Sequence, residues 1–163
     1  MKTLLLLRHA KSSWKNPDLD DHDRPLNKRG KRDAPRMGVL LKDEGLIPDF
    51  IVSSSAKRAW RTAECAALHS GYRGEVRVTS ELYEASPAHI REVIQTSVDN
   101  VSRLLVVGHN PGLEALLEEL TGEYTPLSSG ALACLHFEMD SWSGLVEGVR
   151  GKLVRLWQPR ELP

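Results

Sequence analysis

Leu4 to Leu7 are four consecutive leucines, and they set the strongest limit on how this chain can fold. A strand with one wet face alternates apolar and polar residues. A short, wholly apolar run instead fits a strand buried on both faces, as in a parallel sheet covered by helices. Similar runs recur at Phe50-Ile51-Val52 and at Leu104 to Val107, and Val76 and Val78 mark a further strand between them. Helical segments lie between them. Leu26 to Glu44 has Asn27 as its N-cap and Gly45 as its stop, and Pro35 inside it predicts a kink or a late true start. Ala56 to His69 presents Ala59, Ala63, Ala66 and Ala67 as a small-residue face. Pro87 opens a helix to about Ser97, and Pro111 to Leu120 forms the next. Two late strands, Ala131 to Phe137 and Gly151 to Trp157, flank a stretch of Asp, Ser and Gly and read as a hairpin. This order predicts an α/β three-layer sandwich: a mainly parallel central sheet, helices on both faces, and a C-terminal hairpin adding antiparallel character.

The length of 163 residues fits one domain, 1–163, at the usual ~100–200 residues per domain. Charged residues make up 27% and cancel, 22 basic against 22 acidic, which argues against a chain that mainly coats nucleic acid or membrane. The balance hides an asymmetry. Residues 1–77 carry 16 Lys and Arg against 10 Asp and Glu, and residues 78–163 carry 6 against 12. A cationic site built from the first half is consistent with that. Cys65 and Cys134 make neither a disulfide framework nor a Cys-rich zinc site. No run approaches the ~20 apolar residues of a membrane span. The leucines at the N-terminus stop at Arg8, short of the ~7–15 residues of a signal-peptide core, so a cytoplasmic protein is expected.

In open α/β sheets, ligands bind beyond the carboxyl ends of the strands. The first strand ends in Arg8-His9, the second in Ser53-Ser54-Ser55 followed by Lys57-Arg58, and the fourth in Gly108-His109-Asn110-Pro111-Gly112. Three strands thus deliver Arg or His to one rim. Guanidinium groups grip phosphate through paired, charge-assisted hydrogen bonds. A neutral imidazole nitrogen can attack phosphorus and carry the phosphoryl group, and a protonated second imidazole can stabilise the equatorial oxygens. Such a set needs no cofactor and no metal. A zinc site on His9 and His109 is the competing reading, and two adjacent cations oppose it.

The sequence around these residues resembles the histidine phosphatase superfamily, also called phosphoglycerate-mutase-like. Leu6-Leu7-Arg8-His9-Ala10-Lys11-Ser12-Ser13-Trp14 is similar to its signature, with Ala10 where many members have glycine. Arg24-Pro25-Leu26-Asn27 with Gly30, Ser53 to Ala59 with Thr62-Ala63, and Val107-Gly108-His109-Asn110 resemble three further segments in the family's order. The short chain and its Leu82-Tyr83-Glu84-Ala85-Ser86-Pro87 and Gly108-His109-Asn110-Pro111-Gly112-Leu113-Glu114 runs are most similar to the SixA-type phosphohistidine phosphatases. The resemblance implies His9 as nucleophile and Arg8, Arg58 and His109 as phosphate ligands. The backbone N–H of Asn110 is a further candidate donor, with Gly108 allowing close backbone approach. Glu84 is the candidate general acid and Glu81 its rival; an acidic residue there protonates the leaving group in many members, and some SixA-type members lack it.

The implied activity is a metal-independent phosphatase acting on phosphohistidine of a protein or, alternatively, on small phosphate esters. A mutase fits less well, because keeping the phosphoryl group requires excluding water. A non-catalytic phosphate-binding module is the reading from another class. Neither nucleic acid nor membrane is expected as a partner. The loop holding Asp18, Asp20, Asp21, His22 and Asp23 reads as a solvated acidic loop. Lys28, Arg29, Lys31, Arg32 and Arg36 read as an exposed helix face, and Trp14, Trp60, Trp142 and Trp157 as core or rim packing.

Overall fold

The computed structural model describes residues 1–97 and 99–163. Six strands form one sheet in the order β3-β2-β4-β1-β5-β6. They are β1 (Lys2–Arg8), β2 (Phe50–Ser54), β3 (Val76–Thr79), β4 (Arg103–Gly108), β5 (Leu132–Phe137) and β6 (Lys152–Trp157). The four helices are α1 (Lys28–Asp43), α2 (Lys57–Ser70), α3 (Pro87–Gln95) and α4 (Gly112–Thr121). Strands β1 to β4 pair in parallel. Strand β5 runs antiparallel to β1, and β6 antiparallel to β5, so the expected hairpin adds the antiparallel edge.

The apolar runs divide by parity, as a two-fold side-chain period requires. Leu4, Leu6, Val52, Leu104 and Val106 face one core with Ile90, Val93 and Ile94 of α3 and Leu113, Leu116 and Leu117 of α4. Leu5, Leu7, Ile51, Leu105 and Val107 face the other with Met37 and Leu41 of α1 and Ala59, Ala63 and Ala66 of α2. Leu4 to Leu7 are all fully buried. Truncating any one to alanine would cost about 2–5 kcal/mol. Gly38 lets α1 approach α2 closely: a Cβ there would sit 2.7 Å from the Cβ of His69 and 2.9 Å from the Cys65 carbonyl oxygen.

Helix α1 starts at Lys28, and Asn27 caps it by accepting the Gly30 N–H at 2.9 Å. The late start that Pro35 predicts does not occur. Pro35 leaves the Lys31 carbonyl without its helical donor, but Gly30, Ala34, Met37, Gly38 and Leu41 are buried on either side of it and anchor one continuous face. Glycine at position 30 is required by packing: a Cβ there would collide with the Lys11 carbonyl oxygen. The helix start therefore seats the loop that leaves β1 towards the site.

Candidate active site

Strands β1 and β4 are neighbours with Arg8 opposite Gly108, so the residues that follow them emerge side by side. The His9 N–H donates to the Gly108 carbonyl at 3.0 Å, and the His9 and His109 ring centroids lie 5.1 Å apart. Strand β2 pairs on the other side of β4, which brings Ser54 Oγ to 2.7 Å from His109 Nε2. Arg58 arrives from the first turn of α2. A cleft of about 720 Å³ opens over this floor, and its lining includes Arg8, His9, Arg58, Glu84, His109 and Asn110. The structure thus brings all six predicted site residues together.

His9 is 8% exposed, and its Nδ1 donates to the Ala10 carbonyl at 2.8 Å. A carbonyl only accepts, so the proton sits on Nδ1 and the lone pair is left on Nε2. Burial pushes the His9 pKa down to about 4; the bond to Ala10 works against that shift, and the charges of Arg58, Arg8 and Arg24 add to it. Burial, with His9 and Arg58 nearby, lowers His109 to about 3. Both rings are therefore neutral at pH 7. For His109 the burial of the ring and the two arginines both oppose a further cation in the cleft. Ala10 is fully buried with its N–H bonded to Thr62 Oγ1 at 3.0 Å, so the alanine is accommodated.

Arg8 Nη1 donates to the Leu127 carbonyl at 2.8 Å. The same oxygen accepts Asn110 Nδ2 at 2.9 Å, and the Leu127 N–H is held by Glu114 Oε2 at 2.7 Å. The Asn110 side chain thus helps position Arg8, while its backbone N–H has no acceptor among the described residues. Gly108 closes β4 directly before His109. A Cβ there would lie 3.6 Å from Leu113, an ordinary contact, whereas one on Gly112 would collide with the Ala85 carbonyl oxygen. Glu84 lines the cleft in the left-handed region at φ 53°, a conformation costly for a residue with a Cβ. Its rival Glu81 lies in a short 3₁₀ turn, exposed and outside the lining.

The sequence reading missed the centre of the rim. Asp21, taken for part of a solvated loop, accepts Arg58 Nη2 at 2.9 Å and Tyr83 Oη at 2.6 Å, and Arg24 Nε at 3.1 Å. Its backbone carbonyl takes Arg58 Nη1 at 2.6 Å. Partial burial disfavours its charge, but the bonds from Tyr83 and Arg58 and the Arg58 charge outweigh that and hold the carboxyl below the usual carboxylate range. Tyr83 is pushed up to about 12 by burial and by Asp21. Arg24 and Trp14 also line the cleft. Arg24 opens the Arg24-Pro25-Leu26-Asn27 segment that resembles the family, so its signal was present although no site role was drawn from it. Among the described residues no group of three His, Cys, Asp or Glu side chains is placed to hold a metal ion, and no helix is long and apolar enough to cross a membrane.

A family model described as the histidine phosphatase superfamily (branch 1) matches residues 4–96. An uncharacterised chloroplastic protein of Arabidopsis thaliana is 32% identical over 150 residues, covering 86% of this chain and 69% of that protein. Among solved structures, a protein assigned as a phosphohistidine phosphatase SixA from Nakamurella multipartitia superposes with a TM-score of 0.86 at 28% identity, covering 97% of this chain and 96% of that one. Another assigned the same way, from Agrobacterium tumefaciens, gives 0.83 at 28% identity, covering 97% and 98%. With its signature residues gathered at one cleft and the family model spanning more than half its length, the chain belongs to the histidine phosphatase superfamily, as a phosphatase with a histidine nucleophile.

Proposed function

We propose that the chain is a metal-independent phosphatase that forms a phosphohistidine intermediate on His9 and takes phosphohistidine on a protein as its substrate. The observation that carries this is the Nδ1 bond of His9 to Ala10, which leaves an uncharged Nε2 free at the floor of a cleft walled by Arg8 and Arg58. In the reaction, Nε2 attacks phosphorus and the bond to the leaving group breaks, the departing atom taking a proton. Water then attacks phospho-His9, restoring the imidazole and releasing inorganic phosphate. Arg8, Arg58, His109 and the Asn110 N–H hold the phosphoryl oxygens, so the charge on the dianion is met without a metal. Support for a protein substrate comes from the two SixA-assigned neighbours and from the modest wall between β3 and β4, where α3 runs only from Pro87 to Gln95.

Glu84 favours a second reading, hydrolysis of small phosphate esters, because an alkoxide leaving group benefits from a carboxyl in the cleft. Two measurements test the pair. Rapid quench with a labelled substrate is expected to trap acid-labile phosphate on His9; label on Ser53, Ser54 or Ser55 would overturn the nucleophile assignment. A panel comparing a phosphohistidine protein with alkyl and aryl phosphates, in the presence of EDTA, is expected to rank phosphohistidine first by kcat/KM. A higher rank for an alkyl ester would select the second reading, and activity lost to chelation and restored by a divalent cation would end the metal-free mechanism.

A further inference from the structure

Trp14 is 74% exposed, yet it is not a loose surface side chain. The guanidinium carbon of Arg24 lies 3.4 Å from its ring centroid. Arg24 is itself fixed: Nη1 donates to Ser12 Oγ at 2.8 Å and to the Ser13 carbonyl at 3.3 Å, and Nη2 pairs with Asp21 Oδ1 at 3.0 Å. The guanidinium supports one face of the indole, and the exposure leaves the other open. Trp14 lines the same cleft as His9. An indole held flat against a pinned cation at a cleft wall is a platform for a second planar group.

In-line displacement says what such a group would be. The nucleophile and the leaving atom stand on opposite sides of phosphorus. His9 attacks from the floor, where it is 8% exposed, so the leaving group points outward to the mouth. We propose that Trp14 is a specificity-determining residue whose open face stacks on a planar leaving group, the class to which the imidazole of phosphohistidine belongs. The proposal rests on the phosphatase reading with His9 as nucleophile.

The test compares wild type with Trp14→Ala, Trp14→Leu and Trp14→Phe. The readout is the ratio of kcat/KM for a planar leaving group (phosphoimidazole, p-nitrophenyl phosphate) to that for an alkyl one (glycerol phosphate). Trp14→Ala and Trp14→Leu are expected to lower this ratio by about 5- to 30-fold, and Trp14→Phe to keep most of it. Leucine separates stacking from mere apolar bulk. An unchanged ratio overturns the proposal, whether both substrates slow together, as when Trp14 only steadies Arg24, or neither does. A turnover-free arm keeps this distinct from failure of the His9 reading. Calorimetric affinity for phenylphosphonate relative to methylphosphonate is expected to fall by a similar factor in Trp14→Ala and Trp14→Leu. An unchanged affinity ratio also overturns the proposal, even if no substrate of the panel is turned over.

Discussion

At the floor of the cleft, His9, Ser54 and His109 stand at the ends of neighbouring parallel strands, and their spacing follows from backbone register. At the rim, Asp21, Arg24, Arg58 and Tyr83 come from two loops and a helix and are joined across the chain through their side chains and the Asp21 carbonyl. The floor is fixed by strand pairing that no single side chain supplies. The rim is a charged network in which each member orients the others. A floor substitution should therefore remove chemistry and spare geometry, whereas a rim substitution should disturb its neighbours first. The largest expected effect is at the floor: His9→Ala should lower turnover by about 10⁴-fold or more, the scale for losing a nucleophile, with a circular-dichroism melt as cooperative as that of wild type. Loss of the cooperative melt would mean that His9 holds the strand ends together and would erase the distinction.

Glu84, which also lines the cleft, is the next test. An alkoxide is a strongly basic leaving group and needs a proton donor, while the imidazole of phosphohistidine is a better leaving group. Glu84→Gln should slow alkyl-ester hydrolysis by ~10²–10⁴ and phosphohistidine cleavage much less. Equal losses on both substrates would make Glu84 a positioning group, and no loss on either would remove it from the chemistry.

The same contrast governs what could be read from sequence. Leu4 to Leu7 and Leu104 to Val107 mark where strands end, and Arg8-His9 and His109 follow directly, so the floor was legible from apolar runs and what succeeds them. The rim was not. Asp18, Asp20, Asp21 and Asp23 have the same local chemistry, and only the docking of the short 3₁₀ turn Asp21–Asp23 beside Arg58 singles out Asp21. Glycine carries a related ambiguity. Gly108 and Gly112 are four residues apart in one motif, yet only Gly112 meets a backbone from across the cleft, the Ala85 carbonyl, and that neighbour is distant in sequence. The downward pKa shift of His109 was equally hidden, because it is set by burial and by charges arriving from β1 and α2.

Burying neutral imidazoles at the floor has a cost that pH exposes. His9 titrates near 4 when folded and near its ordinary 6.5 when unfolded, so between those values the unfolded chain binds more protons. Stability contributed by the buried neutral ring is complete above about pH 6.5 and is lost as pH falls towards 4. His9→Asn removes this titration. From pH 7 to pH 5 the variant should lose less stability than wild type, by on the order of 2 kcal/mol, in urea denaturation at each pH. Identical slopes would mean that His9 is not held neutral by the fold.

The smallest effect expected is at Asp21, and it tests whether the rim works as a network. Asp21→Asn keeps the size of the side chain and one acceptor oxygen but removes the charge that Arg58 and Arg24 share. The backbone carbonyl still accepts Arg58 Nη1, so Arg58 should lose alignment only in part. We expect kcat/KM to fall by about 5- to 20-fold, the scale of one weakened charge-assisted hydrogen bond. Inhibition by inorganic phosphate should strengthen or stay level, because a negative charge has left the cleft; a fall in both would point to collapse of the loop. Arg58→Ala should cost more, about 2–4 kcal/mol of transition-state stabilisation, as for loss of a preorganised donor. The pair then gives a double-mutant cycle. If Asp21 acts by aiming Arg58, its substitution costs little once Arg58 is absent, and the double variant resembles Arg58→Ala. Full additivity would mean that Asp21 acts through Arg24 or on the substrate directly, and that the rim is a set of separate contacts.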